Sequence, residues 1–223
     1  MKYSQEVSAD YYQKKELFDE TDKVFIDNLK LVGLQGKEVV DLGCGDGRYA
    51  RLIKEMDATH VIGLDISENM IELAKKNNIE NTDVTFLVAD GEHIPVANNS
   101  IDIVVSNFVV HYFIDTKKVF NEINRVLKNG GVFIGTFNIT DVEEGFEYLY
   151  NQSMPIRLGQ GKESIIVQNL IKSRQEIDQA IKESVLVIVK EEELNHPNAT
   201  IDVTFSEKNH LQKHAVIMVL KKS

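Results

Sequence analysis

Val39-Val40-Asp41-Leu42-Gly43-Cys44-Gly45-Asp46-Gly47-Arg48 is an apolar run that ends in an acid, followed by three alternate glycines. Tyr49 to Met56 then carries the spacing of a helix. Glycine lacks Cβ, so it takes backbone angles closed to other residues and lets a ligand lie against the main chain. At a turn from strand to helix this builds a nucleotide-sized pocket.

The spacing narrows the ligand. A dinucleotide fingerprint needs a third glycine where Arg48 stands, and a phosphate-binding loop needs Gly-Lys-Ser/Thr, which is missing here. The Asp41 carboxylate would repel a pyrophosphate. It suits a phosphate-free ligand with cationic groups, and S-adenosylmethionine (SAM), with its ammonium and sulfonium, fits.

Outward from the turn, strands and helices alternate. His60 to Leu64 reads as a strand ending in Asp65, and Ser67 as the N-cap of a helix over Glu68 to Asn77. Val84 to Val88 and Ile101 to Ser106 are further strands. Thr116 to Leu127 is a helix closed by Lys128-Asn129-Gly130-Gly131, and Val132 to Phe137 is the fifth strand. The rhythm predicts a doubly wound parallel sheet with helices on both faces. Upstream, apolar positions over residues 8 to 31 predict amphipathic helix, divided near Thr21. Downstream, Asp141 to Tyr150 reads as helical, Asn151 to Lys162 as loop and Ser173 to Glu183 as helix. Val185 to Val189, Ile201 to Phe205 and Ala215 to Leu220 read as strands.

The bulk numbers bound the rest. A chain of 223 residues with 43% apolar content suits one α/β domain, 1–223. Its net charge of −10 argues against a nucleic-acid partner, which asks for a basic face. Lone Cys44 makes no intramolecular disulfide, and a reducing compartment is expected. The start MKYSQEVSAD has no signal-peptide core, and no apolar run approaches membrane-spanning length. The expectation is a cytoplasmic protein without a membrane partner, monomeric or homodimeric. The six histidines show no metal-ligand spacing, so no metal is expected.

Four segments, VVDLGCGDGRYA, VIGLDIS, FLVADGEHIPVANNSIDIVVSNFVVHYF and EINRVLKNGGVFIGTF, resemble in this order the class I SAM-dependent methyltransferases. Within them the chain is similar to the small-molecule enzymes of the ubiquinone/menaquinone type. The resemblance covers roughly residues 37 to 137. It implies a Rossmann-like, seven-stranded, mostly parallel sheet with an antiparallel C-terminal edge hairpin, drawn from two of the last three strands. It also implies a helical cap over residues 1–36 and a substrate-covering insertion over 140–172.

The resemblance assigns candidate roles. Asp41 holds the methionine ammonium, and Gly43, Cys44, Gly45 and Gly47 form the turn beneath the amino-acid part. Cys44 is a small filler, not a nucleophile. Arg48 pairs with the methionine carboxylate or is a solvated surface side chain. Asp65 accepts from the ribose hydroxyls. Ile66 and Met70 sandwich the adenine, with core packing the other reading of Met70. Asp90 and Gly91 meet the adenine edge, or make a plain turn. Asn107 lies by the sulfonium through its backbone carbonyl.

Methyl transfer from a sulfonium is an in-line displacement with a good leaving group, so the protein mainly positions the acceptor and excludes water. Where an O–H or N–H must lose a proton, His111 is the candidate general base, with a structural role in its loop as the other reading. Tyr11, Tyr12 and Tyr112 are candidate acceptor contacts. Ser106-Asn107-Phe108-Val109 replaces the Pro-Pro-aromatic motif of DNA amino-methylating enzymes, which favours a small-molecule acceptor. A protein that binds SAM without methylating is the alternative.

Overall fold

The apolar runs do form strands. The computed structural model describes residues 20–78, 83–158, 165–194, 199–201 and 208–223. The order is α1 (Glu20–Val32), β1 (Glu38–Leu42), α2 (Arg48–Glu55), β2 (His60–Asp65), α3 (Glu68–Lys76), β3 (Val84–Val88) and β4 (Ile101–Asn107). A 3-10 turn at Val110–Tyr112 leads to α4 (Thr116–Val126) and β5 (Leu127–Val142). After a second 3-10 turn at Glu147–Leu149 come β6 (Ser153–Leu158), β7 (Ile165–Leu170), α5 (Arg174–Glu183), β8 (Leu186–Leu194), β9 (Ala199–Ile201) and β10 (Leu211–Lys222).

Seven strands form one sheet in the order β3-β2-β1-β4-β5-β10-β8. The first five pair in parallel, and β10 runs antiparallel to both β5 and β8. The doubly wound sheet with an antiparallel C-terminal hairpin is therefore present, and the hairpin uses β8 and β10. The third expected strand, Ile201 to Phe205, meets β9 only at Ile201, and its remainder lies outside the described residues. Strand β9 joins a separate three-stranded sheet, β7-β6-β9.

Helices cover both faces, which is why β1, β4 and β5 are apolar along most of their length. One face is packed by Val119, Phe120, Ile123 and Val126 of α4 with Ile177 and Ile181 of α5. The other is packed by Phe25 and Leu29 of α1, Ile53 of α2 and Ile71 of α3. Burying one such side chain contributes about 1.5–3 kcal/mol. Caps fix the helix starts. The Ser67 and Ser173 hydroxyls accept from the N–H groups of Met70 and Glu176, and the Asp115 carboxylate from that of Lys118.

Two expectations fail in the insertion. Asp141 to Tyr150 is not a helix: β5 continues through Asp141-Val142, and only Glu147–Leu149 turns helically. Strand β10 pairs with β5 from Val132 to Val142, so a partner far along the chain extends the strand. Gly145, at φ +91°, then stops any helix from starting before it. Asn151 to Lys162 is not simply loop, because Ser153–Leu158 is β6. Pro155 pairs with Gln168 of β7, and among the described residues β9 meets Ile156 to Leu158. Helix α1 begins at Glu20, beside the expected division at Thr21. Tyr11, Tyr12 and the rest of the cap before Glu20 lie outside the described residues.

Candidate cofactor and acceptor site

In open α/β sheets ligands bind beyond the carboxyl ends of the strands. The ends of β1 to β5 gather here the side chains singled out by sequence. The turn after β1 is held by backbone bonds: the N–H groups of Gly43 and Cys44 donate to Leu64 O at 2.7 and 2.9 Å. Gly45 N–H donates to Asp65 Oδ2 at 3.0 Å, and Ser67 N–H to Asp65 Oδ1 at 2.9 Å. The acid ending β2 thus orders the turn ending β1. Each carboxylate oxygen keeps a lone pair for a further donor. Burial pushes the Asp65 carboxyl up, and the N–H groups of Ser67, Gly45 and Ile66 oppose this.

Glycine is required at two positions of the turn. Gly43 has φ +76°, and an added Cβ would meet Val109 Cγ1 at 2.4 Å. Gly47 has φ +80°, and its Cβ would meet Phe86 Cζ at 2.6 Å. Cys44 is the expected filler. Its thiol is enclosed, and burial, then the neighbouring acids, push it well above the ordinary range, so it is no nucleophile.

Asp41 lies beneath the turn, 3% exposed, and its Oδ2 has no hydrogen-bond partner. Burial first, then the charge of Asp65, push its carboxyl up to about 7; the Ala50 N–H opposes and Asp46 adds to the rise. A buried acceptor left unmade costs about 1–3 kcal/mol. Two negative neighbours make a cation the complementary partner, so the residues fit an ammonium group and disfavour a phosphate.

Asp90 makes the plain turn, accepting from Glu92 N–H at 3.0 Å and His93 N–H at 2.9 Å, while Gly91 is packed under Phe113. Ile66 is 44% and Val88 50% exposed, just past and at the paired ends of β2 and β3. They leave apolar surface where a flat aromatic ring would be covered. Met70 is buried in the body of α3.

Arg48 is not a solvated side chain. Its Nη2 donates to Asp22 Oδ1 of α1 at 2.6 Å and to Tyr49 OH at 3.0 Å. The Tyr49 hydroxyl also contacts Asp22 Oδ1 and accepts from Asn107 Nδ2 at 2.8 Å. Asn107 Oδ1 accepts from Thr136 Oγ1 at 2.6 Å, and that oxygen accepts from Phe108 N–H at 2.6 Å. One chain of bonds therefore joins α1, α2, β4 and β5 and holds Phe108 in the left-handed region at φ +56°. The Asn107 side chain is thus engaged in this network through both its oxygen and its nitrogen.

His111 is fully buried, with its Nδ1 3.4 Å from Asn138 N and its Nε2 3.2 Å from Asn138 Nδ2. The Tyr112 ring lies 4.4 Å from the imidazole, centre to centre. Sequence reading missed Asp22, Tyr49, Thr136 and Asn138. The signal for the last two was present: Thr136, Asn138 and Thr140 alternate along a central strand otherwise apolar, which places three polar groups on one buried face.

The sheet order, the glycine turn and the acids at neighbouring strand tips define a class of fold, the Rossmann-like doubly wound sheet with an antiparallel C-terminal hairpin. Residues 40–135 match the family described as "Methyltransferase domain". The matched stretch holds the glycine turn, most of the first strand, the next three strands and most of the fifth. A malonyl-[acyl-carrier protein] O-methyltransferase of Hamiltonella defensa is 34% identical over 96 residues, 43% of this chain and 36% of that protein. The chain spans less than half the length of the curated relatives it matches. Among solved structures, an S-adenosylmethionine dependent methyltransferase from Mesorhizobium loti superposes with a TM-score of 0.63 at 19% identity, covering 88% of this chain and 96% of that one. The [4+2]-cyclase SpnF superposes at 0.68 with 14% identity, covering 90% and 80%. No helix among the described residues is long and apolar enough to cross a membrane.

Proposed function

We propose that this protein transfers a methyl group from SAM to a small-molecule acceptor. The observation that carries the reading is Asp41: a buried carboxylate oxygen without a partner, under a glycine turn, beside two further acids. A cationic, phosphate-free nucleoside is the complement of that arrangement.

When bound, the cofactor supplies a methyl group already activated on cationic sulfur. The chain's own residues do the rest. Asp41 takes the ammonium. Gly43, Gly45 and Gly47 let the main chain approach the amino-acid part, over the filler Cys44. Arg48, fixed by Asp22 and Tyr49, presents its guanidinium toward the carboxylate. Asp65 receives the ribose hydroxyls, and Ile66, Met70, Asp90 and Gly91 border the adenine. The Asn107 carbonyl faces the sulfonium. Tyr112, with Tyr11 and Tyr12, belongs to the acceptor side. The whole chain is read as one domain, with 1–36 as a cap and 140–172 over the acceptor. The finer placement is the ubiquinone/menaquinone-type group, in a cytoplasmic protein acting as monomer or homodimer.

Fold alone does not fix the chemistry, since one scaffold hosts unrelated activities. Calorimetric titration with SAM, S-adenosylhomocysteine and NADH tests the site, and only the first two should bind. Release of S-adenosylhomocysteine with a metabolite pool tests turnover. Binding without turnover would leave a SAM-binding regulatory or partner protein.

A further inference from the structure

The sheet reverses its winding between β1 and β4: β2 and β3 lie on one side of β1, and β4 and β5 on the other. Ligands of doubly wound sheets enter at that reversal, outside the strand ends. Two turns therefore wall the crevice, the glycine turn after β1 and Asn107-Phe108-Val109 at the end of β4. They are packed together, because Val109 fills the space that a Cβ on Gly43 would need. The second turn is strained. Phe108 at φ +56° is an outlier for a bulky side chain, and such a conformation persists only where its surroundings impose it.

The groups that impose it form a chain whose direction is fixed at one end. The Asp22 carboxylate of α1 only accepts, so the Tyr49 hydroxyl donates to it and accepts from Asn107 Nδ2 at 2.8 Å. This orients the Asn107 amide, with Oδ1 toward Thr136 Oγ1 at 2.6 Å. The Thr136 hydroxyl donates to that oxygen and accepts from the Phe108 N–H at 2.6 Å. The peptide between Asn107 and Phe108 is trans and planar, so its N–H and C=O point in opposite directions. Its N–H turns to Thr136 on β5. Its carbonyl therefore points away from β5, and β4 lies between β5 and β1. The far side is that of β1 and the glycine turn.

Resting on the methyltransferase reading, we infer that Thr136 and Tyr49 are positioning residues which, through the two ends of the Asn107 amide, turn the Asn107 carbonyl into the crevice toward the cationic sulfur of SAM. A carbonyl oxygen is the negative end of a dipole. Held in place in advance, it attracts a sulfonium and gains little from the neutral thioether of S-adenosylhomocysteine. The chain of bonds therefore sets the discrimination between cofactor and spent product, and Asp22 ties that discrimination to the docking of α1.

Calorimetric titration of SAM and of S-adenosylhomocysteine into the wild type and its variants tests this. Thr136→Val keeps the branched shape and removes the hydroxyl. SAM should then bind about 10-fold more weakly, the scale of one buried polar group left unmade, and S-adenosylhomocysteine at most about 2-fold. Thr136→Ser returns the hydroxyl and should restore the wild-type ratio of the two affinities. Tyr49→Phe keeps the ring against Phe25, removes the partner of Asn107 Nδ2 and should move the ratio in the same direction. In the double variant the loss should fall short of the product of the single losses, since both act through Asn107. Ile123→Val, a core change under α4, should lower the urea midpoint and leave the ratio unchanged. Equal weakening of both ligands in Thr136→Val, unchanged SAM affinity there, or no recovery in Thr136→Ser overturns the positioning role alone. Failure of the wild type to bind either ligand overturns the methyltransferase reading with it.

Discussion

Gly45 donates its N–H to Asp65 Oδ2 at 3.0 Å, so the acid at the tip of one strand holds the ligand-facing turn of its neighbour. Asp65 thus shapes the turn, and under the proposed function it also receives the ribose hydroxyls. Asp65→Ala removes the acceptor for two backbone N–H groups, a loss of about 1–3 kcal/mol for each buried group left unmade. SAM affinity should fall by at least tenfold in calorimetry, with a lower midpoint of urea unfolding. Unchanged affinity would refute the ribose role, and an unchanged midpoint the structural one.

The Asp41 carboxyl gives the ligand-free protein a pH signature. Its value rises from 3.8 to about 7 on folding, burial being the largest cause. The folded state therefore binds more protons than the unfolded state between those values. Stability from this group is fully present at low pH, declines as pH rises from about 4 to 7, and is level above. A bound ammonium favours the carboxylate and reverses the trend, so binding releases a proton below pH 7. SAM affinity should weaken toward a limit of about tenfold per pH unit below 7. Asp41→Asn should flatten the profile, and an equally steep profile in that variant would show another group to be responsible.

The five parallel strands and the helices between them were legible because their signals are local: apolar runs of strand length, a cap at Ser67, and glycines at turns. The insertion was less so. The last residues of β5 are strand because β10, some seventy residues on, pairs with them, and nothing near Asp141 records that partner. The site divides along the same line. Asp41 and Asp65 stand at predictable strand ends. The Asp22–Arg48–Tyr49 cluster joins residues about 26 positions apart, whose meeting depends on how α1 packs on the sheet.

Two glycines with nearly equal backbone angles separate strain from contact. Gly33 has φ +79° with open space around the position a Cβ would take, whereas Gly43 at φ +76° faces Val109 at 2.4 Å. Alanine in the left-handed region costs about 1–2 kcal/mol at either site. At Gly43 the displaced Val109 adds about 1–3 kcal/mol of overpacking. Urea unfolding of Gly33→Ala and Gly43→Ala should therefore differ by that margin, and Gly43→Ala alone should weaken SAM. Equal losses would mean the loop after β4 yields freely.

Lys172 is fully buried, and its ammonium donates to Glu176 Oε1 at 2.6 Å, Asn151 Oδ1 at 2.7 Å and Ile114 O at 3.3 Å. Thr116 Oγ1 donates to the same Glu176 oxygen at 3.0 Å. These bonds tie the insertion and α5 to the segment that follows the His111 turn. Glu176→Ala removes the carboxylate that, among the described residues, opposes the buried ammonium, and should cost about 3 kcal/mol, because an uncompensated buried charge is worse than none. Lys172→Met with Glu176→Leu should cost much less than the sum of the single changes, since it deletes both charges. A double-mutant cycle by urea unfolding reads the coupling directly. A coupling below about 0.5 kcal/mol, the size of an exposed ion pair, would show that the pair is screened by water and does not anchor the insertion.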